Sequence, residues 1–358
     1  MIIKGNAVTY TEFGELKKVL SLTQFEIDSS SLKPNEFLLQ AIATPINPSD
    51  LVQIQGTYPS PPTPYNLGGS TVYIGGNEGV FRVIEVGADA KKVYKKGDWV
   101  IPKLPSFGTW RTHALVAIEE DKKPLIIISS DDDEMTIEQA AVIGVNPCTA
   151  YQLIHNYIKD WKDGDWIIQN CGNSQVSRYL TQIARSENIK TISIVRNNKT
   201  KKQIDELYNL GATKVVNEEE FLSEDFNKTL KSWVGDGRVR LAANSLGGPT
   251  VWPLVRSLSQ DGFLATYGAM SSLEIKYSLV DQLFKNITTV AYWLSANNKK
   301  DPSSKTKTIE AIIKLYSEGI LKTEGITERS YDSDQNLLST FSDAIEASSK
   351  GKQLIIFK

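Results

Sequence analysis

Residues 165–196 read DWIIQNCGNSQVSRYLTQIARSENIKTISIVR. The stretch opens on a short apolar run over 165–170, the length of a buried strand. It enters a tight turn, Cys171-Gly172-Asn173-Ser174-Gln175, and a helix is expected over 175–188. A second apolar run follows at 191–195. Strand, tight turn, helix and strand form the unit in which a turn holds a pyrophosphate on helix N-terminal amides. The full G-x-G-x-x-G is absent. Gly172 is present, and Ser174 and Ser177 stand where further small residues are expected. Serine is small enough for close packing, and the Ser174 hydroxyl can be offered to a phosphate. The βαβ order carries this reading more than the glycines do.

The end of the second run selects the cofactor. An acid there holds a ribose 2′-hydroxyl in NAD enzymes. This chain has Arg196-Asn197-Asn198 instead. A guanidinium forks onto a 2′-phosphate, so NADPH is the expected cofactor.

Downstream, a helix is expected over 201–210, stopped by Gly211, and strands over 214–217, 240–245, 262–267 and 288–293. Such alternation argues for a parallel sheet covered on both faces. Upstream the chain reads as β-rich, with strands over 5–10, 36–43, 79–86 and 98–102. The Pro- and Gly-rich stretch 58–76 reads as one long loop, and the acidic run 131–134 as a solvated turn. Helices are expected over 136–142, 147–158 and 306–317, before a β-like tail ending QLIIFK. The expected organisation is a β-rich domain over 1–137, a nucleotide-binding domain over 138–310, and a return to the first domain over 311–358.

The 40 basic and 42 acidic residues nearly cancel, to a net charge of −2. A protein that neutralises a phosphate backbone carries a basic excess, so nucleic acid is not an expected partner. No apolar run nears the roughly 20 residues of a membrane span. The opening MIIKGNAVTY has neither a secretory h-region nor an Arg-rich amphipathic start. Two cysteines, Cys148 and Cys171, suit a reducing compartment. With His113 and His155 they are too few, and wrongly spaced, for a structural zinc lobe, and no metal is expected. Conjugate reduction of an activated double bond suits such a chain, because it needs a hydride and one proton donor.

Motifs along nearly the whole chain carry a resemblance. They are PINPSDLVQIQGTYPS (45–60), GGNEGVFRVIEVG (75–87), GDWVIP (97–102), FGTWRTHA (107–114), GVNPCTAY (144–151), IIQNCGNSQVS (167–177), LAANSLGG (241–248), TYGAMS (266–271) and GKQLI (351–355). The chain resembles the medium-chain dehydrogenase/reductase superfamily and, within it, the mitochondrial 2-enoyl thioester reductases of yeasts. The resemblance implies an α/β fold, with a GroES-like β-rich catalytic domain beside a zinc-free Rossmann domain. It implies NADPH-dependent reduction of trans-2-enoyl thioesters, on acyl carrier protein or coenzyme A, in the mitochondrial matrix, and a homodimer. Tyr58 of the QG-x-YP motif is then the proton donor. The implied cofactor contacts are Asn146, Asn173, Ser174, Gln175, Val176, Arg196, Asn198, Tyr267, Gly268, Ala269, Met270, Tyr292, Trp293, Leu294 and Lys352. Two departures stand out. Asn198 occupies a position where the family often has a second arginine, and CGNSQVS replaces G-G-T-S-x-V-G; both imply an altered cofactor affinity.

Two other readings share the cofactor domain. A quinone or alkenal reductase has no need of Tyr58. A non-catalytic nucleotide-binding regulator would account for the eroded glycine turn.

Overall fold

The computed structural model describes residues 1–119, 123–131 and 133–358. The chain divides into two compact units, Met1–Val145 with Lys305–Glu310 and Thr323–Lys358, and Asn146–Ser304 with Ala311–Lys322.

The first unit begins with strands β1 (Ile2–Tyr10), β2 (Ser21–Asp28) and β3 (Glu36–Pro45). The helix Pro48–Ile54 follows, then β4 (Pro64–Leu67) and β5 (Ser70–Ile74). Strands β6 (Val80–Val86), β7 (Asp98–Pro102), β8 (His113–Ala117) and β9 (Leu125–Ser130) come next. The stretch expected as one long loop contains a hairpin, β4 paired antiparallel with β5 around Gly68-Gly69. Both glycines take positive φ, 58° and 81°, as a two-residue hairpin turn demands. The many prolines obscured that signal.

The first unit also keeps the helix Ile137–Val142, which buries Ala140, Ala141 and Val142. The boundary therefore falls at 145/146, not 137/138. In the acidic run, Asp131 is exposed but not idle. It accepts from Arg82 Nε at 2.8 Å and Trp99 Nε1 at 2.7 Å. Asp132 of that run lies outside the described residues.

The second unit carries β10 (Trp166–Gln169), β11 (Lys190–Val195), β12 (Lys214–Asn217), β13 (Val239–Asn244), β14 (Phe263–Thr266) and β15 (Thr288–Ala291). All neighbours are parallel, in the order β12-β11-β10-β13-β14-β15. Read from β10 this is 3-2-1-4-5-6, the doubly wound order, with its switch point between β10 and β13. Trp166, Ile168, Ile192, Ile194, Leu254 and Leu264 belong to one buried cluster. Sequence reading missed the helix Val251–Ser257, which buries Val251, Leu254 and Val255.

The chain ends with β16 (Ile326–Tyr331) and β17 (Lys352–Phe357), back in the first unit. β17 pairs antiparallel with β3, completing the seven-stranded sheet β16-β17-β3-β6-β7-β9 with β8 on β3. The return expected over 311–358 is interrupted: Lys305–Glu310 already belongs to the first unit, Ala311–Lys322 goes back to the second, and Thr323–Lys358 completes the first. Gln182 Oε1 accepts from Lys322 N at 2.7 Å and holds it there.

Candidate active site

In an open parallel sheet, ligands bind beyond the carboxyl ends of the strands at the switch point. The predicted nucleotide residues of the second unit lie on that edge. Cys171 and Gly172 follow β10, Arg196 and Asn198 follow β11, Tyr267–Met270 follow β14, and Tyr292–Leu294 follow β15. Backbone and amide bonds tie the loops together. Asn170 Nδ2 donates to Asn244 Oδ1 at 2.7 Å, and Asn170 Oδ1 accepts from Ser245 N at 2.8 Å. Tyr267 N and Met270 N donate to Asn244 O and Ser245 O, each at 2.9 Å. Asn170 and Asn244 were not singled out in the sequence, although each ends a buried strand. A buried amide at a strand end is the available signal.

The turn has little slack. A Cβ on Gly172 would lie 2.8 Å from Ser193 Cβ and 2.9 Å from Ile194 O. Cys171 takes φ of 50°, a left-handed conformation that favours glycine. The fold thus keeps the backbone of the glycine motif while using a cysteine in it. Burial raises the Cys171 thiol above its ordinary pKa, opposed by a Ser245 hydrogen bond and by the Arg196 charge.

Ser174 departs from expectation. Its hydroxyl accepts from Ser177 N at 3.3 Å and lies 3.1 Å from Ser177 Oγ, so it caps the helix Gln175–Ser186. The donors left for an anion are the first backbone N–H groups of that helix. Tyr267 turns inward. Its hydroxyl is buried with no partner in hydrogen-bonding geometry among the described residues, beside the Ser245, Ser177 and Ser174 side chains, and burial raises its pKa. Ala269 and Met270 are exposed.

Tyr292 is also turned in. Its phenol donates to Gln152 Oε1 at 3.1 Å and its N–H to Thr266 O at 2.8 Å, so only its carbonyl remains to offer a ligand. Asn146 opens the helix Asn146–His155, and its Oδ1 is a buried acceptor with no donor among the described residues. A carboxamide N–H of a nicotinamide fits that vacancy in hydrogen bonding. Arg196 is exposed and free of acidic neighbours in sequence, as a 2′-phosphate site requires. The crowded Gly172, the helix amides, the orphan Asn146 oxygen and Arg196 together fit a phosphorylated dinucleotide.

The first unit holds Tyr58. Asn47 and Asp50 begin the helix Pro48–Ile54 as a capping pair, with Asp50 Oδ2 accepting from Asn47 N at 2.8 Å. Past that helix, Val52 O accepts from Thr57 N and Tyr58 N at 3.0 and 3.2 Å. Gln53 Nε2 then donates to Ser60 O and to Ser106 Oγ, both at 2.9 Å. Tyr58 is therefore anchored on both sides within a few residues. It is half-buried, and with Phe13, Pro59, Pro61 and Pro62 it lines an open groove of ≈ 300 Å³.

Beneath this loop lies a buried polar network that the sequence did not reveal as a unit. Asn77 Nδ2 donates to Gln53 Oε1 at 3.0 Å, and Asn77 Oδ1 accepts from Ser106 N at 2.7 Å. Asn47 Nδ2 donates to Glu78 Oε2 at 2.8 Å. Lys352 belongs to this network. Its ammonium, 7% exposed, donates to Asn47 Oδ1 at 2.5 Å and lies 3.8 Å from Glu78 Oε2. Burial pushes the Glu78 carboxyl up to about 7, against the pull of Lys352, and pushes the Lys352 ammonium down. The side chain of Lys352, predicted as a cofactor contact, is thus committed to Asn47 and Glu78.

The histidines are engaged elsewhere. His155 Nε2 lies 2.9 Å from Glu187 Oε1, and His113 Nδ1 lies 3.1 Å from Thr112 Oγ1. Among the described residues no group of three or more His, Cys, Asp or Glu side chains is arranged to hold a metal ion.

Comparison with known proteins agrees with this anatomy. The alcohol dehydrogenase GroES-like domain model matches residues 33–116, and the zinc-binding dehydrogenase model matches 176–314. The enoyl-[acyl-carrier-protein] reductase 1, mitochondrial, of Debaryomyces hansenii is 46% identical, over 99% of each chain. Among solved structures, the mitochondrial 2-enoyl thioester reductase Etr1p/Etr2p heterodimer from Candida tropicalis is 38% identical with a TM-score of 0.93, covering 99% of this chain and 100% of that one. The Etr1p complex with NADP and crotonyl-CoA is 37% identical, again with a TM-score of 0.93 and the same coverage.

Proposed function

The chain belongs to the family of the yeast mitochondrial enoyl-[acyl-carrier-protein] reductases, within the medium-chain dehydrogenases/reductases, and from that membership we propose that it reduces trans-2-enoyl thioesters to saturated acyl thioesters with NADPH. The observation that carries the reading is the anchored Tyr58 turn, in a chain that matches such a reductase over 99% of its length.

Bound NADPH supplies the hydride that adds to the β-carbon. Tyr58 then gives its phenolic proton to the α-carbon, so that hydride and proton together saturate the double bond. Gln53 and Val52 restrict the turn that carries the phenol, and a donor held in one geometry lowers the entropic part of the barrier. The first amides of the helix Gln175–Ser186, with Asn173, Gln175 and Val176, hold the pyrophosphate. Arg196, with Asn198 beside it, receives the 2′-phosphate. Asn146 Oδ1 would accept from the carboxamide of the bound cofactor, and Tyr267–Met270 and Tyr292–Leu294, at the ends of β14 and β15, would bound its nicotinamide half. Lys352 acts by fixing Asn47.

The reaction is proposed as the last reductive step of mitochondrial fatty acid synthesis, in the matrix, with acyl carrier protein as the natural carrier. The relatives' mitochondrial names support the compartment. A homodimer is proposed as the working form. It is supported by exposed apolar residues close in sequence in the second unit, Leu273 and, on the helix Leu279–Phe284, Leu279, Leu283 and Phe284, each at least 72% exposed in one copy.

The deciding experiment follows NADPH oxidation with crotonyl-CoA and with a quinone, in wild type and Tyr58→Phe. Turnover of crotonyl-CoA that collapses in the variant supports the reading. Undiminished turnover removes Tyr58 as proton donor. Activity with the quinone alone makes the chain a quinone reductase, and NADPH binding without either reaction makes it a non-catalytic nucleotide binder.

A further inference from the structure

We propose that Arg178 fixes the side-chain amide of Asn173 so that its N–H groups face the cofactor's pyrophosphate; this rests on reading the 171–176 turn as the NADPH site. Arg178 stands in the first turn of the twelve-residue helix Gln175–Ser186, and its side chain is 6% exposed. Its Nη2 donates to Asn173 Oδ1 at 2.8 Å and to Glu206 Oε2 at 2.9 Å.

A guanidinium has donors and no acceptor. The end of the Asn173 amide that meets it must therefore be the oxygen. That leaves Nδ2 as the free end, with no hydrogen bond among the described residues. Phosphate oxygens accept and do not donate. An amide free to flip would present its lone pairs to the phosphate in one of its two orientations, and Arg178 removes that orientation.

Two further observations point to an anion here. Arg178 Nη1 is buried without a hydrogen-bond partner among the described residues. The guanidinium also sits at the positive end of a helix dipole, where a cation is disfavoured unless negative charge lies close by. Glu206, about one-third exposed, offsets part of that cost. The turn has a single glycine, so its backbone approaches a ligand less freely than a three-glycine turn. A side-chain donor held in one orientation adds to what that backbone offers.

The test compares two ligands by direct fluorescence or calorimetric titration. NADPH contains the pyrophosphate; adenosine 2′-monophosphate keeps the adenine and 2′-phosphate but lacks it. Arg178→Gln is expected to raise the Kd of NADPH about tenfold, the loss of one charge-assisted hydrogen bond, and to leave adenosine 2′-monophosphate binding nearly unchanged. Asn173→Ala, which removes the amide without touching the buried ion pair, should show the same selectivity and stands in if Arg178→Gln does not fold. Asn173→Asp should bind NADPH more weakly still, because a carboxylate repels the phosphate.

Equal weakening of both ligands in Arg178→Gln and in Asn173→Ala would mean that the changes merely loosen the unit, and would overturn the proposal. So would undiminished NADPH affinity in both. If wild type itself fails to bind NADPH, the reading of the turn falls first and the proposal with it. An indifferent variant of a binding-competent wild type sinks the proposal alone.

Discussion

The Asp50 carboxylate, 1% exposed, accepts from Asn77 twice, from the backbone N–H at 3.0 Å and from the side-chain Nδ2 at 2.8 Å. Among the described residues no cation forms an ion pair with it, although the Lys352 charge acts on it through space. It is held by the Asn47 and Asn77 donors, while burial raises its pKa. Asp50→Ala takes the acceptor away from Asn47 N and Asn77 N and leaves Asn77 Nδ2 with Gln53 Oε1 alone. We expect a loss of about 2–4 kcal/mol in stability, the cost of leaving buried groups unsatisfied. Because Asn77 also holds Gln53, and Gln53 holds Ser60, kcat should fall further than stability alone requires. Thermal melts and steady-state kinetics below the variant's melting range check both halves. A normal kcat in the folded variant would uncouple the network from Tyr58.

Glu78 makes stability pH-dependent. Its folded pKa, about 7, lies above its ordinary 4.5 because burial penalises the charge. A carboxyl raised in this way contributes stability below pH ~4.5 and loses it as pH climbs through about 7. Wild type should therefore lose up to about 3 kcal/mol relative to Glu78→Gln across that window. Denaturant midpoints at pH 4.5, 6 and 8 read the effect. A constant difference between the two proteins would show that Glu78 does not titrate there.

Arg196 should decide between the two nicotinamide cofactors. Replacing it with alanine removes the fork for the 2′-phosphate. The Kd of NADPH is expected to rise by about ten- to a hundredfold, while that of NADH stays put. Parallel titrations with both cofactors measure this. Equal losses for NADPH and NADH would mean that Arg196 shapes the turn and does not read the phosphate.

These exposed apolar residues of the second unit should disappear into a second copy. Leu283→Asp with Phe284→Asp, at residues 72% and 73% exposed, puts charge among them. Wild type should sediment at twice the 39.8 kDa chain mass, and the double variant as a single chain. A dimer that survives both charges locates the contact elsewhere.

Residues 165–196 made the fold legible because βαβ is a local pattern. A buried strand, a turn and an amphipathic helix each announce themselves within a few residues, and parallel strands follow from the helix between them. The place of Arg196 at the end of β11 was legible for the same reason. The hairpin over 64–74 was not legible because the prolines before it mask the Gly68-Gly69 turn. The commitments of individual side chains were beyond any local reading. Ser174 could have faced a phosphate, but it caps its own helix. Tyr292 could have faced a ligand, but burial demands a partner for its phenol and Gln152 supplies it, 140 residues away. Lys352 is 305 residues from Asn47, yet its ammonium donates to Asn47 Oδ1 and lies beside Glu78. Sequence by itself determined the βαβ core of the second unit, the strand ends at its carboxyl edge and the small number of Cys and His residues. Only the tertiary structure decided which polar groups are spent on one another and which remain for a ligand, because buried donors and acceptors are paired through space and not along the chain.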